Sequence, residues 1–87
     1  MALSIDKQIE ELNEFIRFDF DAIGAYNSAI ADIKEMQISD PLIQFRGDHE
    51  RHVRNLSEIV RRLGGEPPQG PGLKGVVRKT MTKVAGL

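Results

Sequence analysis

The sequence predicts an all-α fold: a long antiparallel helical hairpin plus a short C-terminal helix, completing a four-helix bundle by dimerisation. Three observations carry this. Apolar residues recur at alternating steps of three and four over two long stretches, the spacing of one helix face. One break separates the stretches, and the second ends in Gly64-Gly65 before Pro67-Pro68. Finally, a chain of 87 residues with no cysteine has little core of its own and no disulfide to compensate, which leaves oligomerisation as the route to stability.

The first stretch runs Ile5, Ile9, Leu12, Ile16, then Ile23, Tyr26, Ile30 and Ile33, with no proline to interrupt it. Ser4 is a good N-cap, and Asp6 falls in the first turn, where a negative charge faces the positive end of the helix dipole. A break is expected over residues 34–40, with Asp40 capping a second helix and Pro41 in its first turn. Met36 and Gln37 then fall in the connection. The second stripe reads Leu42, Phe45, His49, His52, Leu56, Ile59 and Leu63, and ends at the glycine pair. Phe15, Phe18, Phe20, Ala22, Val53 and Val60 widen the apolar surface beyond one seam, so a bare hairpin leaves them in water and a second hairpin is needed to cover them.

Residues 1–66 therefore form the hairpin unit and residues 67–87 a Pro/Gly linker with a basic segment. The linker from Gly64 to Gly72 carries turn residues and no side chain expected to be buried. Beyond it Leu73, Val76, Val77, Thr80, Met81 and Val84 have helical spacing, interleaved with Lys74, Arg78, Lys79 and Lys83. The net charge of −1 hides an asymmetry: residues 1–66 carry 13 acids and 8 bases, whereas residues 67–87 carry 4 bases and no acid. Such a tail reads first as a solvated helix face, not as a nucleic-acid or membrane anchor. With no leader pattern and no apolar run of membrane-spanning length, the cytoplasm is the expected location.

Three ionisable residues stand where the stripes call for leucine. Asp19 fills the gap between Ile16 and Ile23, and His49 and His52 belong to the second stripe. One histidine on an apolar stripe has a plain explanation as a core residue, and one aspartate as a device that fixes register. Three on facing stripes call for a shared partner, because an unpaired buried carboxylate is costly and imidazole nitrogens need partners too. A metal ion satisfies all three, and a carboxylate with two imidazoles suits iron, manganese or zinc. Counting helical rise from the expected break puts His52 within about 3 Å of the height of Asp19, with His49 further off. Tyr26 reads as core packing, and Arg51, Arg54, Arg61 and Arg62 as solvated surface.

Leu12-Asn13, Asp19, Ala22-Ile23 and Tyr26, together with Asp48-His49-Glu50-Arg51-His52, Glu58, Leu63, Gly65 and Pro67, resemble the first two helices of bacterioferritin over roughly residues 12–68. They also look like an uncharacterised bacterial family of ferritin-like domains. In ferritin-like carboxylate proteins each helix pair supplies a Glu and a Glu-x-x-His, and two pairs build a dinuclear site. The resemblance places Asp19 at the first Glu, His49 at the bridging Glu and His52 at the His. It implies an iron-binding helical protein with a role in iron oxidation or storage. Asp is a methylene shorter than Glu, and an imidazole does not bridge two metals as a carboxylate does. Metal binding is therefore implied more firmly than a dinuclear ferroxidase. Glu50 stands where bacterioferritin has its haem-binding Met, so no haem is expected. A homo-oligomer is expected, and the alternative is a metal-free structural or interaction module with a polar core.

Overall fold

The computed structural model describes residues 4–71, which form two long helices, α1 (Ile5–Asp32) and α2 (Met36–Arg62), packed side by side as a hairpin. No strand occurs among the described residues. The expected C-terminal helix lies outside them. No helix of the described residues is long and apolar enough to cross a membrane.

The start of α1 follows the sequence. The Ser4 side chain accepts a hydrogen bond from the Lys7 backbone N–H at 3.1 Å, and Asp6 sits in the first turn. The helix stops at Asp32, and only Ile33, Lys34 and Glu35 lie between the two helices.

The second helix begins earlier than the sequence predicts. It starts at Met36, with Glu35 at its N-cap, so Met36 and Gln37 are helical and Pro41 is the sixth helical residue. Proline has no N–H to give to the carbonyl four residues back, here that of Gln37. Gln37 is exposed, so water can reach the freed carbonyl and the early start is tolerated.

The C-terminus of α2 is closed by a Schellman arrangement. Gly64 adopts φ 89°, its N–H bonds the Arg61 carbonyl, and the Gly65 N–H bonds the Val60 carbonyl at 2.9 Å. Gly65 is also a close approach, since a Cβ there would stand 2.7 Å from Ile9 Cγ2. The Asn13 amide donates to the Glu66 carbonyl at 3.2 Å, and Pro67 is buried. The linker expected to bury nothing thus fastens α2 back onto α1 at the open end of the hairpin.

The core is small. Ile16 and Val60 are the large side chains fully buried among the described residues, with Asp19 and Ser57 buried beside them. The second stripe is therefore turned from its expected position. Val60 faces inward, while Phe45 is 49% and Ile59 39% exposed. With Phe15 at 61% and Phe18 at 68%, the hairpin carries an uncovered apolar face.

Candidate metal centre

Asp19, His49 and His52 come together midway along the hairpin. Asp19 lies 13 residues before Asp32, and His49 lies 13 residues after Met36, so a constant rise per residue brings those two level. The early start of α2 is the reason that His49, and not His52, is the nearer partner. His49 Nδ1 lies 2.8 Å from Asp19 Oδ1, and His52 Nδ1 lies 3.7 Å from the same oxygen.

The three residues differ in burial. Asp19 is 6% exposed, and the His49 side chain is about one-quarter exposed. The His52 side chain is 59% exposed in the single hairpin. Its angular position on α2 explains this. Val53, Ser57 and Val60 face α1, whereas His52 and Leu56 look onto the apolar face, where a groove is lined by Phe15, Phe18, Asp19, His52 and Leu56. The cluster is therefore closed on one side by α1 and α2 and open on the other.

Without an ion the arrangement is a hydrogen-bonded pair, with His49 Nδ1–H donating to the Asp19 carboxylate. The fit to an ion can be checked from bond lengths. Oxygen and nitrogen ligands sit about 2.0–2.2 Å from a zinc-sized ion, so two ligand atoms on one centre are at most about 4.3 Å apart. Separations of 2.8 and 3.7 Å satisfy this, and one donor atom from each residue lies within 4.8 Å of the others. A shift of a few tenths of an ångström closes the set, and the exposed His52 is free to make it. Around the site the Tyr26 ring lies 5.6 Å from that of His49 and 6.3 Å from that of Phe45, centroid to centroid. Aromatic packing thus limits how far His49 can swing.

A second concave region lies elsewhere on the hairpin, around Phe20, Ser57 and Pro68. Its buried Ser57 is absent from the expected stripe, and Arg54 and Arg61 read as plain surface in the sequence. The turned seam of α2 is the signal that locates it, and that turn shows only in three dimensions.

A family model described as Domain of unknown function (DUF2383) matches residues 7–87. No curated protein and no solved structure matches the chain.

Proposed function

The chain belongs to the DUF2383 family, and we propose that within it this protein is a ferritin-like, metal-binding helical protein whose ion is held by Asp19, His49 and His52. The observation that carries the proposal is a buried carboxylate at mid-helix with two imidazole nitrogens at 2.8 and 3.7 Å. A hard carboxylate with two imidazoles favours iron among biologically available ions, with zinc and manganese as competitors. The role is iron handling, as oxidation of Fe(II) by oxygen or as storage.

The proposal includes a second copy. Three protein donors leave coordination positions open toward the face of Phe15, Phe18 and Leu56, and a core with two fully buried large side chains calls for more apolar burial. A second hairpin laid on that face builds a four-helix bundle and sets two half-sites against each other, as in ferritin-like proteins. Light scattering decides this part: a stable monomer of 9.7 kDa sinks it, and a dimer dissociated by Phe18→Glu supports it.

Metal content after purification without tag or chelator tests the ion. Stoichiometric iron, zinc or manganese lost on His49→Ala supports the site, and metal-free protein that takes up none of these ions on dialysis overturns it. A metal-free role is favoured by one observation, the 2.8 Å contact in which Asp19 and His49 satisfy each other. On that alternative the polar pair fixes the register of an interaction module.

A further inference from the structure

The groove around Ser57 differs in chemistry from the apolar face. Its walls are Phe20, Val53, Pro68, Arg54, Ser57 and Arg61, around an open concavity of about 470 Å³. Ser57 is 6% exposed, yet its hydroxyl has no hydrogen-bond partner among the described residues. That hydroxyl lines the groove and is not sealed from it, so a ligand atom or a water can reach it.

The arginines give a second, independent observation. Arg17, Arg46, Arg51 and Arg62 bond Glu14, Asn27, Asp48 and Glu58 respectively. Among the described arginines, Arg54 and Arg61 alone have no such partner, and both line this groove. They stand three residues before and four residues after Ser57, so both guanidinium groups can swing to a point over its hydroxyl. Glu58 also borders the groove, but its carboxylate is engaged by Arg62 at 2.6 Å.

We propose that this groove binds a small amphipathic carboxylate, of the fatty-acid type, with its acid group between Arg54 and Arg61 over the Ser57 hydroxyl. Its apolar body lies on Phe20, Val53 and Pro68. With Glu58 taken by Arg62, Arg54 and Arg61 present two positive charges to an anion in the groove. Guanidinium groups recognise a carboxylate through paired, charge-assisted hydrogen bonds. The chain's own tail is a poor occupant, since Lys74, Arg78, Lys79 and Lys83 come with no acid and meet two arginines.

The test is a titration of the isotope-labelled full chain with decanoate, read by the NMR signals of each residue. Saturable shifts at Phe20, Val53 and Ser57, at least tenfold weaker binding in Arg54→Gln/Arg61→Gln, and weak binding of decanol are the expected results. Both arginines are exposed, so an unchanged melting temperature shows that the double variant is folded. Three results overturn the proposal: no saturable shift at millimolar decanoate, shifts confined to Phe15, Phe18 and Leu56, or equal affinity of the double variant. Equal binding of decanol overturns it as well, since the charge then plays no part. The groove involves none of the three metal-centre residues, so its outcome is independent of the metal proposal.

Discussion

If an ion is held by Asp19, His49 and His52, then metal raises the melting temperature and Asp19→Ala removes most of the rise. An ion that binds only the folded state stabilises it by about 2.7 kcal/mol at a hundredfold excess over its dissociation constant. For a domain of this size each kcal/mol moves the melting temperature by about 4–8 °C, so the expected rise is about 11–22 °C. Asp19→Ala also has a metal-free cost, because it takes the acceptor from His49, a contact of 2.8 Å in a partly buried place. That cost is about 1–3 kcal/mol, and for this reason the quantity to compare is the metal-induced increment in each variant, not the absolute temperature. The assay is thermal unfolding by circular dichroism with Zn(II) or Mn(II), and with Fe(II) under anaerobic conditions. Acidification weakens the increment, because imidazoles must be neutral to ligate and binding releases their protons. Equal increments in wild type and Asp19→Ala refute the assignment, since the ion then binds elsewhere.

Without metal, His49→Leu lowers stability by about 1–3 kcal/mol, because the buried Asp19 carboxylate loses its donor, while His52→Leu is near neutral given the 59% exposure of that side chain; equal losses in urea unfolding contradict this. Gly65→Ala costs about 1–3 kcal/mol through the 2.7 Å approach to Ile9, and an unchanged urea midpoint shows that Ile9 gives way freely. Glu58 is held below the usual carboxylate range by the hydrogen bond from Arg62 and then by the charges of Arg62 and Arg61. A lowered folded-state value stabilises above the unfolded value and is lost as pH falls through the folded one. The small melting-temperature gap between wild type and Glu58→Gln therefore closes below about pH 4, and a gap of equal size at pH 7 and pH 3 rules out this origin.

The sequence shows the two helices because their apolar spacing, the Ser4 cap and the paired glycines are local signals. It also shows Asp19 and His49, since a charged residue on an apolar stripe stands out wherever the stripe turns. The start of α2 does not show, because Asp40-Pro41 carries the chemistry of a helix start while the chain tolerates Pro41 six residues in. That displacement sets the relative height of the two helices, and it exchanges the expected ranking of His49 and His52. The orientation of α2 is hidden for a different reason. Val53, Leu56, Val60 and Leu63 form a continuous apolar arc, and which part of it meets α1 depends on packing against Ile16 and Ile9, which spacing along one strip of sequence does not encode.

The fastening of residues 64–67 onto α1 bears on the order of events in folding. The three-residue connection makes docking of the helices beside it a short loop closure, whereas the Asn13–Glu66 bond joins residues 53 apart and the Asp19–His49 pair joins residues 30 apart. By chain entropy alone the longer closure costs about 0.5 kcal/mol more. Chain entropy therefore favours pairing beside the connection before the clasp at the open end closes. The expected result of weakening it by Asn13→Ala is faster unfolding at a nearly unchanged folding rate in stopped-flow kinetics, and slowed folding with unchanged unfolding contradicts this order. On that order the open end serves as a latch, and the lifetime of the folded hairpin then depends on the end farthest from where pairing begins.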